Sequence, residues 1–401
     1  MTVRRMKLGE LFRIGSSKRV LQSQWKTEGV PFYRGREITR LAENGFVDNE
    51  LFISEELYSE YRSKSGVPVT GDIMITAIGT IGNSYVVRED DRFYFKDASV
   101  LWLHRTSDVS SEFINYWLKA PLFLEQLDRG NGATVDTLTI QKLQSVEVGV
   151  PSLTEQRRIV AILDEAFEGI ATAKANAEKN LQNAHELFEN AMAEVFRSAS
   201  PNAASRRLGE LASFRNGVNY TQGSRGQKVR IFGVKDFKDH FWAPLEGLDE
   251  IQLDGLLSDA DAVAKHDILA VRSNGNPALI GRTVLVPDLV EPMTHSGFTI
   301  RIRLHDTGSL PDFVCHYLKS PEARRTLVAG GNGANIKSLN QGTLSALSVP
   351  LPSLDVQQAI VAQIETLRSE VVTLEDVYER KLAALDELKK SLLHQAFSGQ
   401  L

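Results

Sequence analysis

Cysteine is almost absent: Cys315 is the only one in 401 residues. A lone thiol closes no disulfide within the chain, which excludes a small cross-linked fold and favours a reducing compartment. Long apolar runs are missing too. None approaches the roughly 18 residues of a membrane span, and Met1-Thr2-Val3-Arg4-Arg5 does not resemble an apolar signal segment, so a cytoplasmic protein with no membrane contact is expected. Nor is there an excess of charge of one sign. Lys and Arg number 46 against 51 Asp and Glu, a net −5, and that total does not announce a nucleic-acid binder, although a sum says nothing about where charges sit.

Catalytic signatures are lacking as well. Ala334-Asn335-Ile336-Lys337-Ser338 has Ile where a P-loop needs Gly before Lys-Ser. Gly130-Asn131-Gly132 lacks a third glycine and follows a helical pattern, against a dinucleotide fingerprint. After His185-Glu186, position 189 is Glu, so a zinc-binding pair is incomplete. Asn276-Pro277-Ala278 fails the Asn-Pro-Pro-aromatic pattern of base amino-methylation at its second proline. The sequence therefore predicts no catalytic residue, no metal site and no cofactor in this chain, with Cys315 a buried structural thiol.

What is present is a core's worth of apolar residues, 42% of the chain, in a length that calls for two or more domains. The chain is a tandem duplication. Lys7-Leu8-Gly9-Glu10-Leu11 returns as Arg207-Leu208-Gly209-Glu210-Leu211, and Gly71-Asp72-Ile73-Met74 returns loosely as His266-Asp267-Ile268-Leu269. From Gly130 onward the copies align without a gap at an offset of 201; Pro151-Ser152-Leu153 matches Pro352-Ser353-Leu354. Between about 12 and 110 the copies are otherwise hardly alike, which predicts a shared frame around a diverged insert.

After each Pro-Ser-Leu comes one long helical pattern. Ile159, Leu163, Ala166, Ile170, Ala173, Ala177, Leu181, Ala184, Phe188, Ala191 and Val195 follow coiled-coil spacing with one extra four-residue step. Ile360, Ile364, Leu367, Val371, Leu374, Tyr378, Leu382, Leu385, Leu392 and Ala396 repeat it, broken only at Lys389. The shared stutter predicts that the two helices pack on each other, and Ser152 with Glu155 forms a capping box at the first helix start. In the globular segments, 71–76 with 83–87 reads as a hairpin, as does 267–286, while 112–127 and 312–328 read as helices.

The charges are unevenly placed. Residues 1–40 carry ten Arg or Lys against three acids and residues 206–238 eight against two, while each long helix carries five basic and eight acidic residues. Two basic patches at matching places suit a chain that meets phosphates twice. The candidates for phosphate contact are Arg13, Lys18, Arg19, Arg34 and Arg36 in the first copy and Arg215, Arg225, Lys228, Arg230 and Lys235 in the second. Base reading is expected from polar residues on hairpin and Gly-rich loops. These are Thr76, Thr80, Asn83, Asn131 and Thr134, then Asn219, Arg272, Asn274, Asn276, Asn335 and Lys337. For Asn131, Asn274 and Asn276 a turn role is an equal alternative, since Asn beside Gly or Pro is common turn chemistry.

These marks together resemble the specificity subunit of type I restriction-modification enzymes. The resemblance rests on Val150-Pro151-Ser152-Leu153-Thr154-Glu155-Gln156-Arg157-Arg158-Ile159, on Val349-Pro350-Leu351-Pro352-Ser353-Leu354-Asp355-Val356-Gln357, and on the closing Ala396-Phe397-Ser398-Gly399-Gln400-Leu401. It covers essentially the whole chain. The second copy departs from the pattern at Val356 and Ala359, where the first has Glu155 and Arg158.

The resemblance implies an α+β chain with two mixed α/β target recognition domains, 1–150 and 199–350, each reading one half of a bipartite double-stranded DNA target. Two long antiparallel coiled-coil helices, 151–198 and 351–401, would separate them with pseudo-twofold symmetry. About 44 residues of helix at about 1.5 Å each give roughly 66 Å, an upper bound near 19 base pairs for the unread spacer. Two adenine methyltransferase subunits would dock, with Glu155, Gln156, Arg158 and Gln357 as the contact candidates, and two motor-nuclease subunits would join. S-adenosylmethionine, ATP and Mg would sit on those partners. The alternatives are a stand-alone nuclease or methyltransferase with an unrecognised motif, and a coiled-coil adaptor with no DNA role.

Overall fold

The computed structural model describes residues 3–128, 137–198, 203–221, 223–238, 240–329 and 338–401. The candidates Asn131, Thr134, Asn335 and Lys337 lie outside these residues. The chain forms two compact units, one of Met1–Glu178 with Glu379–Leu401 and the other of Lys179–Tyr378.

In the first unit a four-stranded antiparallel sheet runs in the order Phe12–Gly15, Val100–Arg105, Ile73–Thr76, Ser84–Val86. Strand alternation sends Ile73 and Ile75 to one face, with Leu101 and Leu103, and Met74 to the other, with Val100 and Trp102. Both faces are covered, so Ile73–Thr76 is buried throughout, which is why Ile73-Met74-Ile75 is apolar without alternation. A smaller sheet sets Val30–Tyr33 between Phe52–Ile53 and a parallel Tyr94–Phe95. Arg4–Lys7 pairs with Glu147–Val150 to close the domain beside its helix.

The second unit repeats this topology. Its sheets run Ala212–Asn216, Thr299–Leu304, Ile268–Val271, Thr283–Leu285 and Asp249–Gln252, Lys228–Phe232, Met293–His295, with Ala204–Arg207 pairing Ser348–Leu351. Both expected hairpins form, Ile73 opposite Val86 and Ile268 opposite Leu285. The insert that looks unrelated in sequence is therefore the same fold. What differs is its decoration: helix Gly35–Asn44 of the first unit shrinks to the 3-10 turn Val234–Asp236 in the second, and Glu55–Ser65 has no helical counterpart among the second unit's described residues.

The recurring Asp explains one faint repeat. Asp72 accepts from Trp102 Nε1 at 2.7 Å, from His104 Nδ1 at 3.0 Å and from the Val69 N–H at 3.0 Å. Asp267 takes the Ala264 N–H at 2.7 Å and the Arg303 guanidinium through two bonds of 2.7 Å. Each buried carboxylate ties the start of a central strand to the strand beside it, and a buried charge persists only with such partners. The residue before it has positive φ, +85° at Gly71 and +67° at His266.

Two expectations are corrected. The segments 112–127 and 312–328 are helix pairs, Ser111–Leu118 with Pro121–Asp128 and Pro311–Lys319 with Pro321–Ala329. Pro121 and Pro321 donate no backbone bond and clash with the preceding turn, so each starts a new helix. Leu374 is 41% exposed, because Val371, Glu375 and Tyr378 take the inward positions there.

The long helices are Leu153–Ser198 and Leu354–Ser398. In the first unit the start of one packs with the end of the other: Ile159 and Leu163 share a core with Leu393 and Ala396. In the second unit Val195 and Phe196 share a core with Ile360 and Ile364. The pairing is antiparallel in both, and Ile159, Leu163, Ile170, Ala177, Ala184 and Val195 are buried along the expected seam.

Candidate nucleic-acid interface

In the first unit the strands Phe12–Gly15 and Ile73–Thr76 end, and Ser84–Val86 and Val100–Arg105 begin, at one edge of the four-stranded sheet, so the flanking loops gather there. The Ala77 N–H donates to Ser99 O at 3.0 Å, the Ala98 N–H to Ser16 Oγ at 3.3 Å, and Asn83 Nδ2 to Thr39 Oγ1 at 3.1 Å. Leu138 N–H joins the edge through Ala77 O at 2.8 Å. The second unit builds the same edge. Arg272 N–H donates to Phe298 O at 2.8 Å, and Arg272 O accepts from Leu339 N–H at 2.7 Å. Ala77 and Arg272 thus make equivalent backbone bonds with different side chains, as do Ser99 and Phe298.

The expected base readers fall on these edges with unequal prospects. Thr80 is exposed and Asn83 half-buried. Thr76 is buried; its Oγ1 accepts the Asn83 N–H at 3.1 Å and donates to Thr80 O, closing the loop that presents the other two. Asn219 is exposed and lies against Gly297. Arg272 is half-buried and its Nη1 points at Gly297 O, 3.4 Å away. Asn274 Oδ1 accepts from the Asn276 N–H at 2.8 Å and Asn276 Oδ1 from the Ala278 N–H at 3.0 Å, the turn chemistry held open above. Sequence reasoning missed Ile78, Tyr220 and Phe298, which stand 46%, 44% and 62% exposed on the edges. The available signal was a bulky apolar residue beside glycine in Ile78-Gly79 and Gly297-Phe298.

The basic candidates divide sharply. Arg13, Lys18 and Arg19 are exposed, and among the described residues none has an acidic partner. Tyrosines fix the backbone of the last two: Lys18 N–H donates to Tyr94 Oη at 2.8 Å and Tyr61 Oη to Arg19 O at 3.1 Å. Arg34 and Arg36 instead converge on buried Glu37, at 2.8 and 3.0 Å, and Arg36 also meets Glu50. Burial raises the Glu37 carboxyl, but the hydrogen bonds from Arg34 and Arg36 outweigh it and leave the pKa at about 2. In the second unit Arg215 pairs with Asp261, Lys228 with Glu250, Arg230 with Glu291 and Lys235 with Asp249. Arg225 Nη1 donates to Ser224 O at 2.9 Å. Strand Asp249–Gln252 lies beside Lys228–Phe232 and brings acids to a patch that is basic in sequence.

The partner candidates divide similarly. Gln156 is buried, with Oε1 accepting the Ser110 N–H and Nε2 donating to Pro151 O, each at 2.9 Å. Gln357 is buried in the same way, accepting from Leu310 N–H at 2.9 Å and donating to Gly308 O and Pro352 O at 2.8 Å. Both pin a long helix to its own unit instead of facing outward. Glu155 and Arg158 pair with each other at 2.6 Å at the helix start, and Arg158 also donates to Leu401 O at 2.9 Å. Cys315 is buried, and burial pushes its thiol up to about 11, away from nucleophilic use. Among the described residues no cluster of His, Cys, Asp or Glu could hold a metal ion, and no helix is long and apolar enough to cross a membrane.

Residues 2–182 match the family model of the type I restriction modification DNA specificity domain. Among curated proteins, a putative type I restriction enzyme specificity subunit of Haemophilus influenzae is 29% identical, over 46% of this chain and 47% of its own. The StySPI specificity subunit of Salmonella potsdam is 25% identical over 73% of this chain and 66% of its own. The chain thus matches between about half and two thirds of the length of these relatives. A solved chain from a study of type I R-M complex assembly and conformational transition superposes with TM-score 0.76 at 19% identity, covering 100% of this chain and 98% of that one. The HsdS subunit from Thermoanaerobacter tengcongensis gives 0.57, also at 19%, over 100% and 97%. These structures share the fold.

Proposed function

We propose that this chain, whose residues 2–182 match the type I restriction modification DNA specificity domain, is the sequence-reading subunit of a restriction-modification complex. Each sheet edge reads one half of a bipartite double-stranded DNA target, and the paired helices set the unread spacer. The observation that carries this reading is the equivalence of Ala77 with Arg272 and of Ser99 with Phe298. One backbone frame occurs twice in the chain and holds different side chains at its exposed edge, which is what two domains reading different bases require. Two methyltransferase subunits dock on the helices near Glu155 and Arg158 and methylate adenine, and two motor-nuclease subunits complete the complex. S-adenosylmethionine, ATP and Mg belong to those subunits.

Reconstitution with the methyltransferase subunits and methylation profiling tests the proposal. Exchanging residues 77–83 for residues 272–282 should alter the bases recognised in one half-site and leave the other unchanged. Cleavage or methylation by the purified chain alone would make it a stand-alone enzyme. Binding that shows no sequence preference and vanishes at moderate salt would leave an adaptor.

A further inference from the structure

The long helices carry a pairing code that their duplication makes visible. In the first unit Lys174 on the first helix pairs with Asp386 on the second. In the second unit His185 on the first helix faces Glu375 on the second, 3.4 Å from Nδ1 to Oε1. At the repeat offset of 201, Lys174 and Glu375 occupy the same position, as do His185 and Asp386. The same two sites have therefore been filled with basic residues on the first helix and acidic residues on the second. A neighbouring pair of sites is filled unequally as well. Lys389 Nζ lies 5.1 Å over the Phe167 ring, and the equivalent positions are Phe188 and Arg368, which line one cleft of the second unit. Both aromatics belong to the first helix and both cations to the second.

We infer that the two helices are built to pair with each other and against copies of themselves. Two first helices meeting in the observed register would oppose Lys174 to His185, with no acid at either site, and Phe167 to Phe188. Two second helices would oppose Glu375 to Asp386 and Arg368 to Lys389. In a symmetric pair each of these contacts occurs twice, so pairing two second helices sets like charges together at four sites, while pairing two first helices forfeits the Lys174–Asp386 and Lys389–Phe167 attractions. The occupant that fits each half of this chain is the other half, and an exchange that makes two like pairs from two unlike ones is disfavoured even though the apolar seams match.

A protease site placed at residues 199–202 tests this on the folded full-length protein. After cutting, mass-tagged and untagged material is mixed to equilibrium and read by native mass spectrometry. Complexes of unlike fragments should dominate, with like-fragment pairs about ten-fold or more below statistical proportions, since exposed charge pairs are individually weak and act here in number. The charge swap K174E/D386K keeps the attraction between unlike helices and turns the repulsion between two second helices at positions 375 and 386 into attraction, and it should raise the like-fragment share several-fold. Statistical proportions in the unmodified protein, or no rise in the swapped variant, overturn the inference. The uncut chain gives a second reading: K174E should lower the unfolding temperature of the paired helices and D386K added to it should restore it, and failure of that restoration overturns the inference too.

Discussion

Arg272 illustrates how a single residue carries a prediction. Its backbone is fixed at both N–H and C=O by the edge of the sheet, so its guanidinium is presented from a rigid base, as bidentate recognition of guanine requires. Arg272→Ala should relax specificity in one half-site by about 1–3 kcal/mol; equal weakening on all sequences in a methylation profile would make it a phosphate contact. The unpaired cations predict differently. Alanine at Lys18 and Arg19 together should flatten the dependence of log K on log salt by about two units. The same change at Lys228 and Lys235, which have acidic partners, should flatten it by less, and equal slopes would refute the distinction. His295 sets an acid limit. It is buried with Nδ1 2.9 Å from Thr299 Oγ1, and burial, reinforced by the nearby Arg301, lowers its pKa from the ordinary 6.5 to about 3. Below pH 6.5 the unfolded chain binds a proton that the folded chain refuses, so this contribution to stability is whole above pH 6.5 and falls as pH drops toward 3. Thermal unfolding followed from pH 7 to 4 should decline less steeply in His295→Asn than in the unmodified protein.

The elements show what was legible in the sequence. The long helices were, because coiled-coil spacing repeated over many turns has few other solutions; both hairpins were, because glycine turns punctuate apolar strands. The helix breaks carry a sequence signal too, a proline at matching places in both copies, Pro121 and Pro321. The common topology of the two inserts was hidden, because only buried positions such as Asp72 and Asp267 must persist while the exposed edge is free to change. The glutamines at the helix starts misled for a related reason. The family resemblance implied contact with a partner, whereas Gln156 and Gln357 satisfy buried backbone groups of their own units. Gln357→Ala strands the Leu310 N–H and the Gly308 and Pro352 carbonyls, and should cost about 1–3 kcal/mol of stability measured by denaturant unfolding. Glu155→Ala and Arg158→Ala, at the more open pair beside Gln156, should leave stability nearly unchanged. If they also leave methyltransferase assembly unchanged, the docking assignment at this helix start fails.

At the scale of the whole molecule, local charge sums proved a partial guide. The excess in residues 206–238 is met by acids from 249, 250, 261 and 291, which chain order separates and folding brings near. The helices allow a stricter test, because the proposed spacer role ties the unread length of DNA to helix length. Each of these helices, 46 and 45 residues, is about 68 Å long at about 1.5 Å per residue. Seven residues inserted between Ala173 and Ala177, with seven more between Leu374 and Tyr378, keep the seam in phase and add about 10 Å, or about three base pairs. The methylated site should keep both half-sequences while its unread spacer grows by that amount. Some affinity should be lost, because three base pairs also rotate one half-site about the duplex axis. Insertion into one helix alone should mismatch the seam and reduce assembly with the methyltransferase subunits. A profile in which the bases of either half-site change while the spacer stays fixed would move sequence reading into the helices and overturn their role as a ruler.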